Sequence, residues 1–466
     1  MQLRPGTQRN IGQFYKSFWI LTLFLACFVS TASQPGYAIP AFARKYGLPC
    51  SACHIGWPVL NNFGLQFKDN GYQLGNDKDS PIYQNNGYFP ITFRVTPQWH
   101  LENTNKVAID QPDGSQVEQG VTTHGFDLSG LDIWTAGTLS KNISFQVLPS
   151  MGEGDSFHFE SAWVRFDNLL HSPWLNVKVG KFELDNLLSE KRFLTLSGVG
   201  GAWFNYHFLP QGDGNGFGGI GDNQLGLELA GHNANSYTRY SIALLSSVDG
   251  NPGLTTSFAQ TPNGNTARTY DVYVNVNQGF PVKGLGVQRI GAYAYVGQNP
   301  TYYLTSDGTP VKGQGNRSFS RVGAFGWWFF KDLDVETFYM HGQDNVFLGN
   351  NVAANDPGAL PPGAVGPTWN GGFVEAHYTV NPQFILTGRY ELVHMSRQAN
   401  SNLAGTPNLG NVDSFTIGYR WYPIMLSRAG LAIHNEYSQS KMGNLAPLSG
   451  TDQTQRSLMI GFDFDY

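Results

Sequence analysis

The chain has 466 residues, 29 basic and 34 acidic, and its 14% charged content falls well short of the roughly 25% usual in a soluble domain. Its 56 glycines stand beside 32 Phe, 22 Tyr and 11 Trp, a pairing foreign to helix bundles and common in large antiparallel barrels. Beyond the N-terminus no run approaches the roughly 20 apolar residues of a membrane-spanning helix, and a net charge of −5 offers no basic stripe for nucleic acid.

Residues 1–38 read as an export signal: Arg4, Arg9 and Lys16 give a positive start, and Phe18 to Val29 form an apolar core too short to span a bilayer. Cleavage is expected after Ala38, or alternatively after Ser33. Cys27 lies inside that core, so the exported chain keeps only Cys50 and Cys53. A chain of this size does not need a two-residue disulfide for stability, and the pair calls for a chemical explanation.

Cys50-Ser51-Ala52-Cys53-His54 is the attachment pattern of a c-type haem. Two thiols three positions apart can each bond one of two neighbouring vinyl groups, which leaves the adjacent imidazole beneath the iron as proximal ligand. The alternatives are a local disulfide, a half-built zinc site or chance. Zinc would need a fourth ligand, and no other Cys or His occurs between residues 28 and 99. Neither Met nor a second His occurs from Ile55 to Trp99, so the iron is either five-coordinate or closed by a residue from elsewhere. His100 is the nearest candidate, with His158, His377 and His434 behind it. The segment 39–89 is too small to fold on its own apolar core, so the cofactor must supply part of it. Phe42, Tyr46, Trp57, Leu60, Phe63 and Phe67 are available to pack on it, and Leu60, Phe63, Gly64 and Phe67 recur at helical spacing.

After Phe89 the period becomes two. In Thr92–Glu102 the set Thr92, Arg94, Thr96, Gln98, His100 and Glu102 alternates with Phe93, Val95, Pro97, Trp99 and Leu101. The C-terminus alternates likewise through Leu458, Ile460, Phe462, Phe464 and Tyr466. Between them lie fourteen more candidate strands, near 125–139, 142–151, 156–168, 174–185, 222–231, 237–247, 269–279, 285–297, 317–330, 333–345, 370–380, 383–396, 411–421 and 428–440. Their connectors alternate between tight turns and long Gly/Asn/Pro-rich stretches such as 186–221, the rhythm of a transmembrane barrel. The predicted fold is therefore mainly β: an antiparallel, porin-like barrel of about 16 strands over 90–466, wide enough for an aqueous lumen. Its inward set includes Arg94, Glu160, Arg165, Glu375, His377, Arg389 and Glu391. Such carboxylates and imidazoles could guide a metal cation, although mixed charges also line ordinary porins. The stretch 186–221 either folds inward to narrow the pore or forms an outer loop. Its Gly212–Gly221 run has no βαβ unit around it and is not a nucleotide site.

The run Ile39-Pro-Ala-Phe-Ala-Arg-Lys-Tyr-Gly47, then Cys50–His54, Trp57-Pro-Val-Leu-Asn-Asn-Phe-Gly64 and Phe67-Lys-Asp-Asn-Gly-Tyr72, followed by a barrel, resembles the fused monohaem cytochrome–porin family of bacterial outer membranes. The resemblance implies that Cys50 and Cys53 hold one covalent haem c and that His54 binds its iron. It also implies an outer-membrane electron conduit between an external donor such as Fe(II) and a periplasmic carrier. Its most specific form is ferrous iron oxidation; outward transfer to external metals runs the same path in reverse. A passive solute porin with a haem-bearing plug or sensor is the alternative.

Overall fold

The computed structural model describes residues 41–56, 58–74, 82–83, 89–151, 157–185, 194–195, 199, 205–206, 220, 223–246, 270–300, 303–304, 310–311, 316–346, 360, 362–398, 410–425 and 430–465. The export segment, Trp57 and most of 186–221, including nearly all of the Gly-rich run, lie outside them.

Three short helices, α1 (Ala41–Tyr46), α2 (Cys50–Cys53) and α3 (Asn62–Asp69), and the two-stranded ribbon β1 (His54–Gly56) and β2 (Val59–Leu60) form the N-terminal segment. The first half of the barrel comprises β3 (Thr92–Asp110), β4 (Gln116–Ser140), β5 (Ile143–Met151), β6 (His158–Phe166), β7 (Asn176–Glu183), β8 (Asn223–His232), β9 (Thr238–Leu245) and β10 (Asp271–Val282). After β11 (Gly286–Pro300) the connection carries a small ribbon, β12 (Tyr303–Leu304) with β13 (Pro310–Val311). The second half continues through β14 (Asn316–Phe330), β15 (Leu333–Gln343), β16 (Thr368–Asn381), β17 (Phe384–Arg397), β18 (Val412–Met425), β19 (Gly430–Met442) and β20 (Gln453–Asp465). β3–β11 and β14–β20 make a closed antiparallel barrel of sixteen strands, and the register Leu101↔Leu458 and His100↔Met459 seals the last strand to the first.

Each predicted strand is present. The first hairpin is longer than expected, because β3 and β4 stay paired through Val107↔Gln119 and Ile109↔Val117. Residues 111–119 are almost all exposed, so neither face of this extension must be apolar and no period-two signal marks it. An even strand number puts the start of β3 and the end of β20 at one end of the barrel, together with the tight turns at 141–142, 283–285, 331–332 and 382–383. The longer connections, including 186–221, leave from the other end.

The pleat separates two chemistries. Outward positions carry large exposed apolar side chains, among them Val276 on β10, Val296 on β11, Val374 on β16, Leu386 on β17, Ile417 on β18 and Phe464 on β20. Inward positions are buried and mixed: stacked rings such as Phe338 and Phe373, 4.9 Å apart, alternate with ion pairs. A contiguous apolar exterior over a polar interior inverts the arrangement of a soluble protein.

Of the two alternatives for 186–221, its described residues follow the inward one. Asn205 donates from its backbone N–H and Nδ2 to Glu391 (2.8 and 2.6 Å), and Arg420 donates to the Leu194 carbonyl (3.1 Å). Thr195 donates to Glu375 (3.2 Å), and the Tyr206 ring lies 5.2 Å from Phe338. Leu194, Thr195, Asn205 and Tyr206 therefore lie against the inner wall of β15–β18.

Candidate functional site

The N-terminal segment sits inside the barrel at the end where the chain enters and leaves it. Local chemistry builds it first. Asn61 caps α3 by accepting from the Gly64 N–H (3.0 Å), and its Nδ2 donates to the carbonyls of Ser51 and Ala52 (3.2 and 3.0 Å). One side chain thus satisfies a helix N-terminus and ties it to the Cys-Ser-Ala-Cys turn. Gly64 completes the junction, because a Cβ there would collide with the Cys53 carbonyl. Phe42, Phe67 and Tyr72 form an aromatic cluster (Phe42–Tyr72 4.9 Å, stacked; Phe42–Phe67 5.1 Å, edge-on) that continues into the wall through Trp163.

Barrel arginines then fix the segment. Arg239 makes a two-pronged ion pair with Asp69 (2.7 and 2.8 Å) and also reaches Asp185 (3.0 Å). Arg165 donates to the carbonyls of Lys68 and Asp69 (2.8 and 3.1 Å), satisfying the α3 C-terminus, where a cation is favoured. Arg289 donates to Asn62 and Gln66 donates to the Ala234 carbonyl (3.2 and 2.9 Å). Burial alone would raise the Asp69 carboxyl, but Arg239, by charge and hydrogen bonding, holds it well below the usual carboxylate range.

Between segment and wall lies a cavity of about 420 Å³, within the range of cofactor pockets. Cys50, Cys53 and His54 all line it. The two cysteines form no disulfide, and burial, followed by the charge of Cys50, pushes the Cys53 thiol up to about 11.

The remaining lining is partly apolar and partly charged. Phe42, Tyr46, Leu60 and Phe67 contribute apolar surface from the segment, and Trp134, Leu148 and Ile424 from the barrel. Arg94 also lines it, near Asp463 and Asp465 (3.6 and 3.8 Å), and Asp132, Glu160 and Glu183 add further carboxylates. Cys50, Cys53 and His54 are the donors that a covalently tethered haem would need.

Other predicted residues lie elsewhere. Phe63 is exposed and outside the lining although it lies one turn before Phe67, and Leu60, its partner in the helical spacing, belongs to β2 rather than to α3. His100 is outside the lining, with Nδ1 3.1 Å from Asp127. His158, His377 and His434 are likewise absent from it, whereas Met425, at the end of β18, lines it. Sequence reasoning missed Met425 and Arg239, and it placed Arg165 inward without joining it to the cysteine segment. The Asn61 cap was detectable, since Asn directly precedes the helical spacing.

No family model and no curated relative matches the chain. Among solved structures it is similar to an anion-selective porin from Comamonas acidovorans (12% identity, 81% of this chain and 99% of that one, TM-score 0.48). It is also similar to the outer membrane protein OmpT of Vibrio cholerae (12%, 81% and 99%, TM-score 0.46) and to OprB of Pseudomonas putida (10%, 80% and 94%, TM-score 0.44). At these identities the likeness concerns barrel architecture, and nothing about the site is drawn from it.

Proposed function

We propose that the chain is an outer-membrane electron-transfer barrel with one covalently attached haem c inside its periplasmic mouth. The supporting observation is that Cys50, Cys53 and His54 line a single cavity enclosed by the barrel wall. The apolar outer band and the closure of the sixteen-stranded ladder suit a lipid environment. Cys50 and Cys53 would hold the porphyrin covalently, and His54 would bind its iron. Phe42, Phe67 and Tyr72 exclude water on the segment side, and Arg94 faces the cavity from the wall. A haem bound there supplies one-electron redox chemistry whose potential is set by ligation, burial and nearby charge. Asp69, Arg239 and Arg165 keep the segment docked, so the redox centre stays within the barrel rather than at its rim.

The most specific version has Fe(II) as external donor and a periplasmic carrier as acceptor. The test uses full-length protein matured with cytochrome assembly machinery, to which Fe(II) is added anaerobically while the reduced haem bands are followed. Reduction supports the reading. Intact haem that Fe(II) leaves oxidised removes the iron version, and matured protein without haem removes the conduit. The inward 186–221 contacts and the charged lumen favour a second reading, a solute channel carrying a haem plug, for which steady ionic current across a planar bilayer is the signature.

A further inference from the structure

We infer that the inner wall of β15 and β16 carries a binding site for a divalent transition-metal cation, formed by Asp334, Glu336 and His377. This site is separate from the cysteine cavity, whose lining includes none of the three, and it does not rest on the haem reading. The register is its origin. Asp334 stands directly opposite His377, and Glu336 directly opposite Glu375, so inward positions two residues apart on adjacent strands gather three carboxylates around one imidazole. Donor atoms of Asp334, Glu336 and His377 all lie within 4.8 Å of one another, and the three residues are buried to 4%, 1% and 0% exposure. A metal bonded at about 2.0–2.2 Å would draw such donors together by a small side-chain adjustment.

The local charges are unequally served. Arg389 is taken by Glu375 (2.8 Å), and Glu391 is met by Asn205. His377 faces Asp334 at Nδ1 (2.8 Å) and Glu375 at Nε2 (2.7 Å). Glu336 takes part in no ion pair among the described residues, and its Oε2 is buried with no hydrogen-bond partner there. Its cross-strand neighbours are Trp327 and Glu375, neither of them a cation. Opposed like charges on paired strands are destabilising, and a buried carboxylate without a partner is costly. A divalent cation held by two carboxylate oxygens and one imidazole nitrogen resolves both, a donor set suited to first-row transition metals rather than to Ca²⁺.

Equilibrium dialysis of the folded full-length protein against Co(II), followed by elemental analysis, counts cobalt separately from haem iron. The expected result is one cobalt per barrel, with affinity at least tenfold weaker in Glu336→Gln and in Asp334→Asn and unchanged in Glu102→Gln. X-ray absorption at the cobalt edge of the unmutated protein needs no variant, and a nitrogen/oxygen shell with an imidazole contribution is expected. No uptake, equal uptake by the Glu336 and Asp334 variants, or a sulfur shell indicating the cysteines would overturn the assignment.

Discussion

Asn61 and Gly64 show how much of the cysteine turn depends on two small residues. Asn61→Ala removes the α3 cap and two donors to the turn, at a cost of about 1–2 kcal/mol. Amide exchange at Gly64 and Leu65 should rise about 5–30-fold, the fold-change equivalent of that loss. Gly64→Ala acts through contact instead, pushing α3 off the Cys53 carbonyl. Under the haem reading it lowers the fraction of matured protein that stains for haem on a denaturing gel severalfold, while Asn61→Ala leaves most of it. Both positions are visible in the sequence as a capping residue and a glycine at helical spacing. That the cap also reaches the carbonyls of Ser51 and Ala52 is not, because it depends on how the chain turns back between them.

Among elements, the decisive junction is α3 against β6 and β9. Asp69→Asn leaves Arg239 with Asp185 but removes a charged, two-pronged contact, and it should weaken docking of the segment by about 2–3 kcal/mol. Protease accessibility of residues 41–74 in the otherwise folded barrel measures this. The pH dependence has a definite sign. Because the folded-state pKa of Asp69 lies below that of the unfolded chain, its stabilisation is complete above about pH 4 and is lost as the pH falls further through the folded value. Protease protection should therefore hold at pH 5 and 7 and diminish below about pH 4, with Asp69→Asn flattening that dependence. The pairing in this junction was not foreseeable: Arg165 reads as an inward charge on its strand, but nothing local links it or Arg239 to Asp69 at the end of α3.

At the scale of the whole molecule the barrel and the segment inside it are separable by mutation. Under the haem reading, Cys50→Ser with Cys53→Ser should abolish haem staining yet leave the barrel folded, as checked by heat-modifiable migration, since the sixteen-stranded ladder closes without either residue. A lumen occupied by both the segment and the 186–221 contacts should conduct less than an open barrel of this strand number. Asp69→Asn should raise single-channel conductance measurably in planar bilayers, and unchanged conductance would show that the segment does not obstruct the ion path.

What the sequence determined by itself was local and periodic. Alternation along each strand reports which face meets an apolar medium and tight turns report which strands are neighbours, while the five residues Cys50–His54 carry the attachment pattern on which the haem proposal rests, because each signal is written within one element. The tertiary structure decided what lies across the lumen: the docking of α3 by Arg239 and Arg165, the presence of Met425 in the cysteine cavity, and the meeting of Asp334, Glu336 and His377. Those contacts depend on barrel register and closure, which bring together residues far apart in the chain, and a period-two pattern says which way a side chain points but not what stands opposite it.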